Sequence, residues 1–403
     1  MYKRQVLRLV ILGLAILLAP SWANAVPLVS YSVIIDAGSS GSRIYLYKTS
    51  QKGSATQVED LWGFEPKDVP GLSDFKERPN DAYNAGIVPL LQPLRSFFAE
   101  RGLKEREVIV HLLATGGLRL LDPSQSEAIL GAVSTGLKTT ELKVGRVGIL
   151  PSELEGLLAW ADVNALAGRL APGKETLGIV EVGGASSQIA YEVKGPAVTA
   201  SKTWQIQGHA YRIVSRSFLG LGQNAARKSM IHSVGGGLEG NPCYPQGVSV
   251  ADKKTGVDAL SGSFDASRCR NLYREVIRQN PDFDRALLKG AVNQSFAGIG
   301  QGNPVGPIKG SISLWKLKGS NPHDSLKVVE AACTSPWSSF QDQFGGDLVN
   351  QNQCANSIFI ETLLYDPLAL GLGAHQLKHM EWVGGRVPSW TRGFFLLPDS
   401  EFH

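Results

Sequence analysis

The feature that most limits what this chain can become is a short pattern that occurs twice. Tyr31 to Arg43 reads YSVIIDAGSSGSR, and Thr176 to Gln188 reads TLGIVEVGGASSQ. In each, an apolar β-rich run ends on a carboxylate, Asp36 or Glu181. A Gly/Ser/Ala turn follows, and a second β-like run leaves it, Ile44 to Tyr47 or Ile189 to Val193. This is strand, tight loop and strand. Small residues let backbone N–H groups converge on one concavity suited to phosphate oxygens, and a carboxylate at the strand end can hold the accompanying cation. Either stretch alone also reads as an ordinary hairpin with a glycine-rich turn. The recurrence of acid, small residues and strands in one order, at positions 36 and 181, favours two jaws on one polyphosphate.

A chain of 403 residues exceeds one ordinary core and suits two domains. Lys3, Arg4 and Arg8 precede an apolar run from Leu9 to Leu18, and Ala23-Asn24-Ala25 supplies a small-x-small site. Residues 1–25 therefore read as a secretory signal peptide cleaved after Ala25. The alternative is an uncleaved membrane anchor, for which the run falls short of the ~20 residues of a spanning helix. No second run of that length follows, so the mature chain is expected to be soluble, with no membrane association once the leader is removed. Its expected location is secreted or periplasmic.

The formal net charge of +4 loses the three leader cations and becomes +1, and no basic stripe marks a nucleic-acid partner. Export suits the cysteines. Cys243, Cys269, Cys333 and Cys354 form an even set without a C-x-x-C pair, and neighbours are expected to pair, Cys243 with Cys269 and Cys333 with Cys354.

From Val26 onward strands and helices alternate. Val58 to Phe64 is a candidate third strand, and Asp81 to Arg101 has helical spacing that Pro89 and Pro93 should kink or break. Val108 to Ala114 reads as a buried strand running into Thr115-Gly116-Gly117-Leu118-Arg119. A helix over Ser124 to Leu137, a strand over Arg146 to Leu150 and a helix over Ser152 to Leu166 complete the first half. The second pattern then restarts the order, as in a duplicated lobe. Tyr211 to Phe218 reads as a strand and Gly222 to Val234 as a helix. A Gly-rich insertion with cysteines runs from Gly235 to about Arg270, and an apolar helix lies around Ser357 to Tyr365. The aromatic tail Val387 to Leu397 is too apolar for a disordered end and should pack on the body.

Phosphoanhydride hydrolysis needs neutralised phosphates, a metal and a base that deprotonates water. For the base, Ser152-Glu153-Leu154-Glu155-Gly156 opens a helix just before the halves change over. Glu155 at a helix start can face a cleft, with Gly156 leaving room for substrate or water. The same residues also spell S-x-x-E, a capping box. Thr115 follows a strand end, where its hydroxyl could meet phosphate or metal-bound water, or simply make a turn. His375 and His379 stand four apart on an expected helix but lack the Glu of H-E-x-x-H, which favours a solvated face over zinc.

Together these stretches resemble the apyrase family, the nucleoside triphosphate diphosphohydrolases of the actin-like superfamily. The resemblance runs through DAGSSGSR at Asp36, ATGGLR at Ala114, SELEGLLAWADVN at Ser152, VGGASSQI at Val182 and SWTRG at Ser389. It extends through NPCYPQG at Asn241 and the second cysteine pair, so it spans essentially the whole mature chain. It implies an α/β fold of two ribonuclease H-like (actin-like) lobes with the active site in the cleft between them. Lobe I would be 26–160 completed by 386–403, and lobe II 161–385 with disulfide-bearing insertions.

By motif position, the resemblance makes Glu155 the catalytic base, with Ser186 and Gln188 holding the attacking water. Phosphate binding falls to Ser39, Ser40, Gly41, Ser42, Arg43, Thr115, Gly183, Gly184 and Ala185. Asp36, Thr115, Glu181 and Trp390 would line the water shell of Mg or Ca. The implied partners are nucleoside tri- and diphosphates, attacked directly by water without a phosphoenzyme. Four positions depart from the pattern. Glu181 replaces the usual Asp, Leu158 a usual aromatic, and Thr391-Arg392-Gly393 the common Thr-Leu-Gly. Gln223 stands where many relatives place an Arg near the base, and is the candidate for base contact. The rivals are an exopolyphosphatase or guanosine pentaphosphate phosphatase of the same superfamily, which usually carries a Glu at the place of Gln188, and a non-hydrolytic actin-like nucleotide-binding protein. A sugar kinase shares the fold by analogy only.

Overall fold

In a computed structural model of the chain, both repeated patterns fold as hairpins of one register. The structure describes residues 29–402 apart from 67, 196–199, 234–239, 253–256, 285–293, 300–321, 345–350, 374–375 and 381. Strand β1 (Val29–Gly38) pairs antiparallel with β2 (Gly41–Lys52), placing Asp36 opposite Arg43. Ser39 and Ser40 make the connecting turn, and Gly41 leaves it at φ +150, a conformation that side chains disfavour. Strand β3 (Ala55–Phe64) extends the meander.

Helix α1 (Val88–Arg101) then leads to β4 (Val108–Ala114), which lies parallel to β1 on its other side. The expected break at Pro89 and Pro93 is corrected: the helical stretch divides at Val88, and α1 runs through Pro93. A π-helical turn, Ala82–Ile87, gives way to α1 at Val88, with Pro89 in the first turn, where a missing N–H costs nothing, and Pro93 inside. Helix α2 (Pro123–Leu137) leads to β5 (Lys143–Ile149), parallel to β4, and the sheet order is β3-β2-β1-β4-β5.

Helix α3 (Ser152–Leu166) carries the chain to the second hairpin, β6 (Gly178–Val182) and β7 (Ser186–Glu192). Here Glu181 faces Gln188, as Asp36 faces Arg43, and Gly184-Ala185 takes the place of Ser39-Ser40. Strands β8 (Ser201–Ile206) and β9 (His209–Leu219) follow, then α4 (Gln223–Ser233). A small hairpin of β10 (Ser249–Asp252) and β11 (Val257–Ser261) precedes α5 (Ala266–Gln279). Strand β12 (Phe296–Ile299), helices α6 (Pro322–Thr334), α7 (Trp337–Phe344) and α8 (Gln353–Tyr365), and strand β13 (Leu377–His379) close the lobe.

The second sheet runs β8-β9-β7-β6-β12-β13, with β12 parallel to β6 and β13 parallel to β12. With β8 set aside as an added edge, this is the first sheet's order again. The sequence pattern did not reveal β8, β12 or β13. The expected helix bearing His375 and His379 is corrected here: His379 ends β13, while His375 lies outside the described residues, as does the leader.

The α3 helix is buried from Leu154 to Asn164 on every face, the mark of a helix inside a core rather than on it. One side packs on β6, β7 and β9. The other meets the C-terminal segment, where Trp390, Phe394, Leu396 and Leu397 are buried with Ile34 and Tyr47 of the first sheet and with α3. Gly393 packs so closely on α3 that a Cβ there would collide with the Leu158 carbonyl oxygen. The aromatic tail therefore packs on the body as expected, wedged between α3 and the first sheet. The division at 160/161 falls inside α3.

The cysteines pair as neighbours, Cys243–Cys269 with Cα atoms 5.0 Å apart and Cys333–Cys354 with 5.8 Å. All four sit in the core that covers the outer face of the second sheet.

Candidate active site

The two turns face each other across a cleft, because each ends the inner strand of its sheet. A Cβ on Gly184 would lie 2.7 Å from Ser39 Oγ, and one on Gly117 would lie 2.8 Å from Ser39 Cα. At Gly117, where the neighbour is backbone, only glycine permits the approach. The cleft encloses about 440 Å³ of space, part of it open to solvent. Its lining includes Asp36, Ser39, Ser40 and Arg43 from the first hairpin, Thr115, Glu155, Glu181, the segment Gly183 to Ser186, and Trp390. Residues from positions 36 to 390 thus meet in one place.

Gly41, Ser42, Gln188 and Gln223 stand behind that lining. Ser42 is buried in β2, and its Oγ has no hydrogen-bond partner among the described residues. Gln188 is buried beneath Ser186: its Nε2 donates to Ser186 Oγ at 2.7 Å and to Ser217 Oγ at 3.0 Å. Gln223 is buried at the start of α4, and its backbone N–H donates to the Gly183 carbonyl at 2.9 Å, bracing the second turn.

The base candidate has a partner that the sequence did not reveal. Arg119 Nη2 donates to Glu155 Oε2 in an ion pair whose side chains are 10% and 8% exposed, and Arg119 Nη1 donates to Ser217 Oγ at 3.2 Å. The polar chain Glu155–Arg119–Ser217–Gln188–Ser186 therefore links the carboxylate to the serine hydroxyl across both halves. Arg119 lies in the ATGGLR stretch, and Ser217 carries no motif signal.

The capping box does not form. Pro151 is the N-cap of α3, Ser152 is the first helical residue with no side-chain cap bond, and Glu155 is turned to the cleft. Gly156 also departs from expectation. Its open side is taken by β9, where a Cβ would meet Ser215 Oγ at 2.9 Å, so it admits a strand rather than substrate.

Three carboxylates share this cleft, and burial governs all of them. Burial pushes Glu155 up from the usual carboxylate range, and Arg119 offsets only part of the rise. Burial pushes Asp36 up to about 7, with Arg43 opposing and Glu155 adding to the rise. Glu181 is pushed up to about 8 by burial, then by Glu155 and Asp36. Arg43 Nη1 stands 3.8 Å from Asp36 Oδ2, and Arg43 Nη2 donates to Ser40 Oγ at 3.5 Å.

A divalent cation fits this set. Asp36 Oδ1 is buried without a hydrogen-bond partner among the described residues, and the acids on the opposing jaws destabilise each other's charge. Among the described residues no three His, Cys, Asp or Glu side chains are grouped to chelate an ion directly, which suits a hydrated ion held through its waters.

This electrostatic arrangement has a readout without turnover. The folded protein holds the Glu181 proton more tightly than the unfolded chain does. The stability tied to that carboxyl therefore falls as pH rises from 4.5 towards about 8. In chelator, Glu181→Gln is expected to melt above the parent by about 1–3 °C near pH 8.5 and at the parent's temperature near pH 4.5. Added divalent cation should raise the parent's melting temperature more than the variant's. Equal melting differences at both pH values contradict the burial of an uncompensated charge.

With the geometry in place, comparison with known proteins identifies the lineage. The potato (Solanum tuberosum) protein named apyrase is 30% identical over 377 residues, covering 86% of this chain and 81% of its own. Human ectonucleoside triphosphate diphosphohydrolase 2 is 27% identical over 95% of this chain and 85% of its own. A crystal structure of nucleoside triphosphate hydrolases from Neospora caninum superimposes with a TM-score of 0.64 at 17% identity, covering 91% of this chain and 92% of that one. That likeness is one of fold. The sequence profile of the GDA1/CD39 (nucleoside phosphatase) family matches residues 27–402, so the chain belongs to that family.

Proposed function

We propose that this enzyme cleaves the terminal phosphoanhydride of nucleoside tri- and diphosphates by direct attack of water and releases phosphate. The observation that carries the reading is the meeting of the two jaw turns with the Glu155 carboxylate in one cleft. Turns of two residues leave their central N–H groups outside the strand ladder, free for phosphate oxygens. Ser39, Ser40, Gly183, Gly184 and Ala185 would hold the phosphates, with the Arg43 guanidinium and the Thr115 hydroxyl beside them.

Asp36 and Glu181 would hold Mg or Ca from opposite jaws, with Thr115 and Trp390 against its waters. When bound, the ion neutralises phosphate charge in the transition state.

Ser186 Oγ accepts from Gln188, so its own hydrogen is available to orient the water. Glu155 takes one proton from that water as its oxygen bonds to the terminal phosphorus. The bond to the bridging oxygen breaks, and its electron pair leaves with the nucleotide. Arg119 offsets part of the rise that burial gives the Glu155 proton affinity and fixes the carboxylate's direction. Gln223, behind the second turn, is the proposed approach to the base.

We also assign the mature protein to the secreted or periplasmic space after loss of residues 1–25. No helix among the described residues is long and apolar enough to cross a membrane.

Two variants test the chemistry. Glu155→Gln is expected to lower kcat by about 10²–10⁴ while nucleotide binding stays near the parent's, as for loss of a general base. Turnover close to the parent's would remove Glu155 from that role. Arg119→Met leaves the Glu155 proton harder to remove, so the acidic limb of kcat/KM against pH should move upward by about one unit or more. A limb that stays in place contradicts the role given to Arg119. Release of phosphate from polyphosphate alone, with none from ATP or ADP, would favour the exopolyphosphatase reading.

A further inference from the structure

Two turns along α3 from Glu155, on the same side of the helix, lies Asp162, a fully buried acid that the chemistry above does not use. Its Oδ2 accepts the Ser389 backbone N–H at 2.7 Å, and its Oδ1 lies 3.3 Å from Arg392 Nε. Arg392 Nε also stands 3.4 Å from Asp60 Oδ1, and Arg392 Nη2 donates to the Val387 carbonyl at 2.8 Å. Asp60 belongs to β3 of the first sheet, whereas α3 rests on the second. One guanidinium, 5% exposed, therefore ties both halves to the C-terminal turn.

Between the two anchored residues, Ser389 and Arg392, sits Trp390, which lines the cleft. Thr391 adds a further tie, with its Oγ1 2.6 Å from the Tyr47 hydroxyl and 2.6 Å from Ser389 Oγ.

We infer that the Asp162–Arg392–Asp60 cluster is a positioning device that holds Trp390 at a fixed place against Glu155 and the cation's waters. Stability alone does not account for it. Buried ion pairs commonly contribute little net stability, and apolar residues of similar volume often do as well. What the charges add is geometry. The Asp162 carboxylate accepts the Ser389 backbone N–H at one oxygen and faces the Arg392 guanidinium at ion-pair distance, without a hydrogen bond, at the other, and that combination sets the turn's place along α3. Arg392 and Asp162 act through Trp390 and touch no reacting atom.

The role given to Trp390 rests on the proposed function, whereas its placement does not, and the test separates the two. The variant is the neutral pair Asp162→Asn with Arg392→Met, which strands no buried charge and keeps an acceptor for Ser389. Each form is compared with its own Trp390→Phe partner, so that the difference in emission isolates Trp390 from the other tryptophans. Acrylamide quenching of that difference signal should rise severalfold in the neutral pair. The concentration of Mg or Ca for half-maximal activity should rise by about tenfold, with nucleotide KM within about twofold. In the Trp390→Phe background the same pair should change the ion requirement by less than about twofold, because the effect passes through that indole.

Arg392→Lys, which keeps the charge opposite Asp162, should quench nearly as the parent does. Unchanged quenching in the folded neutral pair overturns the inference. So does an equal loss in both Trp390 backgrounds, or a loss in Arg392→Lys as large as in the pair. If Trp390→Phe leaves the ion requirement unchanged, the metal role of Trp390 fails while quenching still decides its placement.

Discussion

The structure depends on bringing three carboxylates, Asp36, Glu155 and Glu181, into one largely buried cleft. In a medium of low effective dielectric, each charge raises the cost of the others. Burial and mutual repulsion hold Glu181 up to about 8 and Asp36 up to about 7. Such a site is poised for positive charge. Two arginines supply a part, Arg43 from the cleft lining beside Asp36 and Arg119 from behind Glu155. The remainder suits a divalent cation and the phosphates it would accompany.

Duplication explains how one chain places these acids. Both hairpins set an acid opposite a polar partner seven positions on, Arg43 in one and Gln188 in the other, and both use a two-residue turn. The halves have diverged where their tasks differ. The first jaw keeps a cation opposite its acid. The second keeps an amide that reaches Ser186 and, through Ser217 and Arg119, the base. Helix α3 lies between the sheets and carries two acids with different duties, Glu155 at the cleft and Asp162 against the C-terminal turn.

Much of this was legible in the residues. The hairpins announced themselves through apolar runs closed by small residues, and Ser152–Leu166 was readable to the residue. Strands β12 and β13 were not, since four and three residues cannot establish a period, and β12, buried along its whole length, shows no alternation. Arg119 escaped because its partner lies 36 positions away and no local spacing links them. Gln188 and Gln223 were recognisable as site residues by motif, but only the folded chain shows them bracing Ser186 and Gly183 from behind. The S-x-x-E pattern at Ser152 fitted two structures equally well, and the competition was settled by Arg119, which draws Glu155 away from the helix end.

The central claim is that the two jaws present a terminal phosphate to a water activated by Glu155. Its most direct test is turnover of ATP by the mature protein in water enriched in oxygen-18, with Mg or Ca present, followed by mass analysis of both products. The account predicts one solvent oxygen in each released phosphate and none in the nucleotide product. Solvent oxygen in the nucleotide product, or bound ATP that releases no phosphate, would contradict it.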